Sequence, residues 1–180
     1  VEYDETSELL FVRDLFRVVI YDLSSGITNG MNASYVLGQA NFTAEVTAIT
    51  QNNFSMAELP TPNATYLTYD SGDEYLYVAD DDAGRIMVFD LSSGITNGMN
   101  ASYVLGQPDF TSDIDGGVSA RTFDQNGGDS TLNLFFDSVN RRLFTSNSSD
   151  SRVLVFDMSE GVSTYMSASY VIGGTNFTIA

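Results

Sequence analysis

The segment DLSSGITNGMNASYVLGQ at residues 22–39 recurs letter for letter at residues 90–107. A looser copy, DMSEGVSTYMSASYVIGG, spans residues 157–174, so the copies start 68 and then 67 residues apart. A fixed period along a whole chain is typical of structural units that stack on one another. The sequence therefore predicts three related units, with any unique chemistry where the copies differ.

Each unit carries four short aromatic or β-branched runs separated by Gly, Asp, Asn and Ser, a pattern typical of strands joined by hairpins. The predicted strands are residues 1–3, 9–12, 17–21 and 33–37 in the first unit, 65–69, 75–79, 85–89 and 101–105 in the second, and 132–136, 142–145, 152–156 and 168–172 in the third. The predicted units occupy residues 1–43, 44–111 and 112–180, and the last two each begin with a linker.

The third run of each unit is apolar at consecutive positions, as in residues 85–89, rather than at alternate ones. A strand with one wet face alternates, whereas a strand covered on both faces need not. Four-stranded antiparallel sheets that repeat and are covered on both faces are typical of propeller blades. The predicted fold class is therefore all-β, with three four-stranded antiparallel propeller blades.

Three blades fall short of a closed ring, because closed propellers have about four to eight. The two end blades would each leave a large apolar face in water, which soluble monomers rarely do. We therefore expect this partial propeller to be completed by further chain or by copies of itself, in a closed ring or an open filament. The start at Val1 without Met indicates processing or a longer chain.

The strings YLYVADDDAGRIMVFDLSSG and LFTSNSSDSRVLVFDMSEG resemble the NHL-repeat pattern of a hydrophobic strand, a polar turn and an Arg-led strand ending in Phe-Asp. The ending ASYVLGQPDFT looks like that of NHL-type propeller proteins from bacterial genomes and metagenomes. The resemblance covers all three units and implies a propeller. Its members include ligand-binding scaffolds, protein-binding platforms and a few lyases and hydrolases, so it implies no single activity. The third unit departs from the pattern at residues 145–147 and at Gly174.

The charge and the missing residue types exclude several functional classes. The chain has 24 acidic and 7 basic residues, a formal net charge of −17, which repels phosphate backbones and anionic lipids. We therefore expect neither nucleic-acid binding nor membrane insertion. The chain contains no Cys and no His, which removes disulfides, thiolate sites and imidazole bases. We predict no catalytic residues, no cofactor and a non-enzymatic role.

Acidic turns offer oxygen ligands of the kind that Ca²⁺ accepts. Asp80, Asp81 and Asp82 form the main candidate site, and the pairs Asp113 with Asp115 and Asp124 with Asp129 are others. No string matches a calcium-loop spacing, which favours local hydrogen bonds in turns instead. Calcium is the alternative to a metal-free protein.

Two sets of residues recur with the units. Asp22, Asp90 and Asp157 end the third strands, and we expect them to make a structural hydrogen bond. Arg17, Arg85 and Arg152 begin the third strands, and we expect an ion pair or a cation–π contact between blades.

Asn-X-Ser/Thr triplets are frequent and suggest glycosylation of a surface protein, although Asn, Ser and Thr also abound in β-turns. The candidate asparagines are Asn32, Asn41, Asn53, Asn63, Asn100, Asn147 and Asn176.

We predict an extracellular or cell-surface module that acts in self-assembly or adhesion. Its expected partners are copies of itself, with a protein or a glycan as a further candidate. One alternative is half of a ligand-binding or catalytic six-bladed propeller with its site in the central channel. The residues expected to line that channel are Tyr3, Asp4, Tyr69, Asp70, Phe136 and Asp137. Another alternative is a protein-interaction platform that uses the loops 44–63 and 112–131.

Overall fold

The computed structural model describes residues 1–55, 66–123, 132–147 and 151–178, with the side chain of Asn147 left out. These residues form three four-stranded sheets and one short turn of 3-10 helix, Asp81–Ala83. Sheet 1 contains β1 (Glu2–Asp4), β2 (Leu9–Arg13), β3 (Val18–Asp22) and β4 (Tyr35–Leu37). Sheet 2 contains β5 (Leu67–Asp70), β6 (Tyr75–Asp80), β7 (Arg85–Asp90) and β8 (Tyr103–Leu105). Sheet 3 contains β9 (Leu132–Asp137), β10 (Arg142–Asn147), β11 (Arg152–Asp157) and β12 (Tyr170–Ile172).

Each sheet is an antiparallel meander in which strands adjacent in sequence are also neighbours in the sheet. The predicted all-β class with three four-stranded antiparallel sheets is confirmed. The fourth strands begin two residues later than predicted. In sheets 2 and 3 the alanine expected at the start of the strand bonds to a linker instead. Ala101 N–H donates to Gln51 O at 2.8 Å and Ala168 N–H donates to Ala120 O at 2.7 Å, so both bind linkers rather than the sheet.

The turn between the first two strands has the same chemistry in every sheet. An aspartate that ends the first strand accepts a backbone N–H two residues on, as Asp70 Oδ1 does from Gly72 at 2.9 Å. The residue before the second strand is left-handed in each copy, at Glu8 (φ 54°), Glu74 (φ 58°) and Arg141 (φ 55°). An aspartate whose carboxylate accepts a backbone N–H of the same turn stabilises that turn. This stabilisation offsets the strain of a residue other than glycine at positive φ.

Two hydrophobic clusters join the sheets face to face. One lies between sheets 1 and 2 and contains Phe11, Ile20, Val78 and Phe89 among its buried members. The other lies between sheets 2 and 3 and contains Tyr77, Val88, Leu134 and Phe156. Sheet 2 contributes alternate residues of its strands to the two clusters, because successive side chains of a strand point to opposite faces.

Only sheet 2 has a neighbour on each face within the described chain, and burial follows this difference. In β7 every residue from Arg85 to Phe89 is buried, as the continuous apolar run predicts. In β3 and β11, which have equally apolar sequences, buried residues are interrupted by half-buried ones. The same sequence pattern therefore has two outcomes, set by whether another sheet lies on the second face.

None of the described residues belongs to an apolar helix of membrane-spanning length.

Candidate functional site

The contacts between sheets 1 and 2 (junction 1–2) recur between sheets 2 and 3 (junction 2–3). Phe11 in β2 packs against Tyr69 in β5 with ring centroids 4.9 Å apart. Tyr77 in β6 stacks on Phe136 in β9 at 5.6 Å. Each pair joins the second strand of one sheet to the first strand of the next, and such pairs add about 0.5–1.5 kcal/mol beyond their buried area. A junction therefore has a repeated, directional design.

The linker that enters each following sheet is held by an aromatic ring packed on a glycine of the preceding sheet. A Cβ on Gly38 would lie 2.1 Å from a ring carbon of Phe54, and one on Gly106 would lie 2.5 Å from a ring carbon of Phe123. Both glycines also have positive φ, +81° and +90°. At the equivalent Gly173 no described ring occupies this position.

The repeated arginines bind linkers rather than bridging strands of adjacent sheets. Arg85 Nε lies 2.7 Å from Asp80 Oδ2, across its own hairpin, and both side chains are fully buried. Its other nitrogens donate to Asn53 O at 2.9 Å and to Phe110 O at 2.6 Å. The geometry thus places the expected ion pair within one sheet, and the linker contact is a role that the sequence did not reveal.

The other two arginines follow the same plan with one difference. Arg152 donates to Phe177 O at 2.9 Å and to Thr122 O of the linker at 3.2 Å. Arg17 pairs with Asp14 and donates to Phe42 O, and its side chain is 25% exposed. Within the described chain, sheet 1 has no incoming linker for Arg17 to bind.

A glutamine anchors the linker that leaves sheets 1 and 2. The Gln39 side chain donates to Val46 O at 2.8 Å and accepts from Val46 N–H at 2.9 Å. Gln107 makes the same pair of bonds to Ile114, at 3.0 and 3.1 Å. In sheet 3 the position is Gly174, which has no side chain to do this.

The loop after the third strand of each following sheet binds the outer edge of the fourth strand of the preceding sheet. At junction 1–2, Gly98 N–H donates to Val36 O at 2.9 Å, and Asn97 Oδ1 accepts from Val36 N–H at 3.0 Å. At junction 2–3, Tyr165 N–H donates to Val104 O at 2.8 Å, and Thr164 Oγ1 accepts from Val104 N–H at 3.4 Å. We call this two-bond contact the clasp.

The outer face of sheet 3 exposes residues that are covered at the junctions. Leu37 and Leu105 end the fourth strands of sheets 1 and 2 and are fully buried, whereas the equivalent Ile172 is 54% exposed. Phe135 and Tyr170 on the same sheet are also more than half exposed. Phe144, the equivalent of Phe11 and Tyr77, has no ring from a following sheet against it in the described chain.

The outer face of sheet 1 forms an apolar groove of about 620 Å³. Tyr3, Glu8, Leu10, Leu23, Gly26 and Ile27 line it. Ile27 is 78% exposed, although the identical Ile95 packs into the core of junction 1–2. Tyr3, the equivalent of Tyr69 and Phe136, is 46% exposed. The two outer faces therefore carry the two unpaired halves of the contacts that build the junctions.

A buried polar cluster lies at the 3-10 turn of sheet 2, where Arg13 of sheet 1 and Leu132 of sheet 3 both approach Asp81. The Arg13 guanidinium lies 4.1 Å from the centroid of Phe54, and burial lowers the pKa of Arg13 to about 10. Asp81 Oδ1 accepts from Leu132 N–H at 3.1 Å, and within the described chain its buried Oδ2 has no partner. Burial, with Asp80 nearby, raises the pKa of Asp81 to about 8, although the Leu132 hydrogen bond opposes this.

The three calcium candidates serve different structural roles. Asp80 is paired with Arg85 and accepts from Ser55, Asp81 bonds to Leu132, and Asp82 is exposed. Across the described residues, no group of three or more carboxylates is placed to hold a metal ion. Asp113 is exposed and Asp115 accepts from Gly117 N–H. Asp124 and Asp129 lie outside the described residues.

Four of the six channel candidates come together. Tyr3, Asp4, Tyr69 and Phe136 line a mainly polar pocket of about 360 Å³, together with Glu2, Glu5, Thr6, Ser71 and Ser138. Asp70 and Asp137 do not line it. Asp70 is buried and lies 2.9 Å from Arg141 Nη1, while Asp137 accepts from Val139 and Asn140, which lowers its pKa.

The third-strand aspartates bind the turns that follow them. Asp22 and Asp90 each accept from the N–H and hydroxyl of the serine two residues on, at 3.0 and 2.6 Å. Asp157 accepts from Ser159 N–H at 3.0 Å. The serine hydrogen bonds lower the pKa of Asp22 and of Asp157.

The candidate glycosylation sites differ in access. Asn32, Asn41, Asn100 and Asn176 are exposed. The Asn53 amide donates to Gly38 O at 3.2 Å, so a sugar on this nitrogen would conflict with a linker contact. Asn63 lies outside the described residues, as does the side chain of Asn147.

The described parts of the two long loops, residues 44–55 and 112–123, are the linkers that pack between sheets. Phe54 and Phe123, whose role was missed in the sequence, are the fully buried aromatic residues of these parts. Each of the loops 44–63 and 112–131 contains a single aromatic residue, and this is the signal that points to Phe54 and Phe123.

Comparison of the chain with protein-family models, with curated proteins and with solved structures finds no match.

Proposed function

We propose that the chain is a non-enzymatic, NHL-type β-propeller module, extracellular or on the cell surface, that works by assembling with copies of itself. In this proposal each sheet is a blade, and the outer face of sheet 3 packs against the outer face of sheet 1 of the next copy. The observation that carries it is the pair of unpaired halves: Tyr3 and Ile27 on one face, Phe144 and Ile172 on the other.

The repeat makes these two faces complementary. The exposed residues of sheet 3 occupy the same repeat positions as the residues of sheets 1 and 2 that contact the following sheet. The exposed residues of sheet 1 occupy the same repeat positions as the residues of sheets 2 and 3 that contact the preceding sheet. Burial of apolar area contributes about 25 cal/mol per Å², so covering both faces favours association.

The contact is head-to-tail, because one face meets a different face. Two copies that close would make a six-bladed ring, and copies that fail to close would make a filament. In the same proposal, the exposed loops rich in Asn, Ser and Thr bind a protein or a glycan in adhesion. This role is compatible with self-assembly.

The test is the solution mass of the unmodified chain. Analytical ultracentrifugation from about 1 to 100 μM is expected to show species of at least 39 kDa, twice the 19.6 kDa of one chain. Negative-stain electron microscopy would then separate rings from filaments. A folded 19.6 kDa monomer over this whole range contradicts the proposal.

The polar pocket supports a second candidate, half of a ligand-binding or catalytic propeller with its site in the central channel. It lies where the first strands of all three sheets meet, and four of its lining residues are those expected there. Calcium and a panel of neutral oligosaccharides are suitable probes in thermal unfolding. A rise in midpoint that Tyr69→Ala abolishes supports this candidate, and no rise with any probe argues against it.

A further inference from the structure

We propose that the tip of the sheet 1 loop, Thr28–Gly30, forms a clasp with the outer edge of β12 in a second copy of this chain. Asn29 Oδ1 would accept from Val171 N–H, and Gly30 N–H would donate to Val171 O. This inference rests on the proposed self-assembly and names the residues that direct it.

The binding loop has the same sequence as the loop that forms the clasp inside the molecule. Residues 22–39 and 90–107 are identical, so Asn29 and Gly30 are the counterparts of Asn97 and Gly98. Those counterparts bond both backbone groups of Val36, at 3.0 and 2.9 Å. The sheet 1 loop therefore carries the same hydrogen-bonding groups as the loop that forms the clasp of junction 1–2.

The loop of sheet 1 also has the conformation of the bound loop. Gly30 has φ +75° and Gly98 has φ +67°. Met31 N–H donates to Thr28 O at 3.3 Å, and Met99 N–H donates to Thr96 O at 3.2 Å. Within the described chain, Asn29 Oδ1 and Gly30 N–H make no hydrogen bond of their own. A loop already in its bound shape loses little entropy on binding.

The edge of β12 presents the matching groups. Val171 is opposite Leu154, in the register that puts Val36 opposite Val19 and Val104 opposite Met87. Since the valine N–H and C=O point outward in sheets 1 and 2, the same register points those of Val171 away from β11. Among the described residues neither group has a partner on that side, and an edge strand of this kind is a template for another chain.

The side chains around the two partners also match. Ile95 and Met99 flank the bound tip and pack into the core of junction 1–2. Ile27, the counterpart of Ile95, is exposed, and so are Tyr170 and Ile172 beside Val171. Docking would bury all three.

One feature favours a further copy of the sequence over an unrelated protein as the occupant, and a second feature favours a separate copy over a linked repeat. The chain itself supplies both halves of the clasp, as identical or equivalent positions of one sequence. The glutamine that anchors an outgoing linker is replaced by Gly174 in sheet 3, so a linker leaving sheet 3 would lack this anchor, whereas a separate copy needs none.

The first test compares Asn29→Ala with Asn97→Ala, the same change in the same loop. Asn29→Ala is expected to weaken association about 2- to 10-fold in sedimentation velocity, which is the effect of one hydrogen bond. Urea unfolding should be unchanged when it is measured at concentrations at which both proteins are monomeric. Asn97→Ala is expected to lower the urea midpoint and to leave association within about twofold. An association constant of Asn29→Ala equal to that of the unmodified chain overturns the clasp.

The second test asks whether the sheet 1 face of one copy binds the sheet 3 face of another. Each variant carries a charge that blocks one of these two faces. Ile27→Glu and Ile172→Glu alter exposed side chains, so each variant should fold, and each alone should form no species larger than the 19.6 kDa monomer. A one-to-one mixture retains one good face of each kind and should give a species of about 39 kDa and nothing larger. Dimers of Ile172→Glu alone would mean that sheet 1 faces pair with each other, which overturns the inference.

The outcomes separate this inference from the proposed function. Assembly that persists unchanged in Asn29→Ala removes the clasp and leaves self-assembly intact. If the unmodified chain stays monomeric, both the clasp and the self-assembly are wrong. The edge of β12 would then bind a further repeat of a longer chain, and the linker to that repeat would place an aromatic ring on Gly173.

Discussion

Arg17, Arg85 and Arg152 each bind the carbonyl of a phenylalanine 25 residues later in the chain. The bond ties the start of the third strand to the segment that follows the fourth strand. Arg85 is fully buried, so its charge depends on Asp80 and on carbonyl oxygens, since leaving one buried charge unpaired costs about 3–5 kcal/mol. At the residue scale, polar groups therefore hold the linkers while apolar groups hold the sheets.

Asp81 is the residue whose titration we expect to govern stability between pH 5 and pH 8. Burial raises its pKa to about 8 in the folded chain, against an ordinary value of 3.8. A raised pKa means that the folded state holds the proton more tightly, so this contribution is complete below about pH 4 and is lost as the pH rises to 8. The free energy of unfolding should fall by up to about 1.4 kcal/mol per pH unit in this window.

Urea unfolding at pH 5, 6.5 and 8 measures this slope, and the absence of histidine leaves few other groups that titrate there. Asp81→Asn should flatten the slope, because the amide keeps an acceptor for Leu132 N–H and does not ionise. Asp82→Asn, at the exposed neighbour, is the control and should keep it. The charges of Asp80 and Arg13 also face Asp81. An unchanged slope in Asp81→Asn would mean that Asp81 does not cause the pH dependence.

At the scale of elements, the linkers are as much a part of the junctions as the strands. Phe54 and Phe123 fill the space above Gly38 and Gly106, and the arginines hold the backbone next to them. Removing a fully buried Phe side chain costs about 3–5 kcal/mol, so each ring is worth about as much as a central core residue. The element that joins two sheets therefore also stabilises their packing.

Gly106→Ala and Gly173→Ala separate crowding by the linker ring and by a neighbouring carbonyl from the strain of a positive φ. The two glycines have φ of +90° and +95°, so a Cβ adds similar strain, about 1–2 kcal/mol, at both. At Gly106 the Cβ also collides with Phe123 and with Gly84 O, whereas at Gly173 the nearest atom is Ser151 O at 3.0 Å. Gly106→Ala should therefore lower the free energy of unfolding by about 1–3 kcal/mol more, the usual cost of overpacking.

Urea unfolding of both variants and of the unmodified chain measures this difference. Equal losses in the two variants would mean that the ring of Phe123 and the carbonyl of Gly84 both move aside at little cost.

At the scale of the whole molecule, the net charge of −17 opposes the association that the apolar faces favour. Inside the chain, junction 2–3 relieves part of this repulsion, because Arg141 binds Asp70 at 2.9 Å and also Asp73. Glu8 holds the equivalent turn position in sheet 1. In a junction between copies it would therefore lie near Asp137, which holds the position of Asp70.

Glu8→Arg should strengthen self-association, because it places a cation where Arg141 stands at junction 2–3. An exposed ion pair contributes about 0.2–1 kcal/mol, so the expected tightening in sedimentation velocity is between about 1.4-fold and fivefold. The gain should shrink between about 0.01 and 0.5 M NaCl, while association of the unmodified chain should strengthen as its like charges are screened.

Glu45→Arg makes the same change in net charge at an exposed residue of the first linker and serves as the control. An equal gain in this variant would assign the effect to net charge alone. Weaker association of the unmodified chain at high salt would contradict the apolar, head-to-tail contact.

Much of the fold follows from the sequence alone. The repeat determines three copies of one unit, and its apolar runs and Asp-, Gly- and Asn-rich turns determine four antiparallel strands in each. These features are local, because strand period and turn chemistry depend on residues close together in the chain. The number of sheets and their meander order were accordingly predictable, and so were the turns at Asp22, Asp90 and Asp157.

Only the tertiary structure decided what identical residues do. Ile27 and Ile95 have the same neighbours in sequence, yet Ile27 is exposed and Ile95 is half-buried against the core of junction 1–2, because only Ile95 has a preceding sheet beside it. The linker roles of Arg85 and Phe54 were likewise invisible, since they depend on residues far away in the chain. The burial of a residue depends on which other parts of the chain pack against it, and a repeated local sequence does not specify those neighbours.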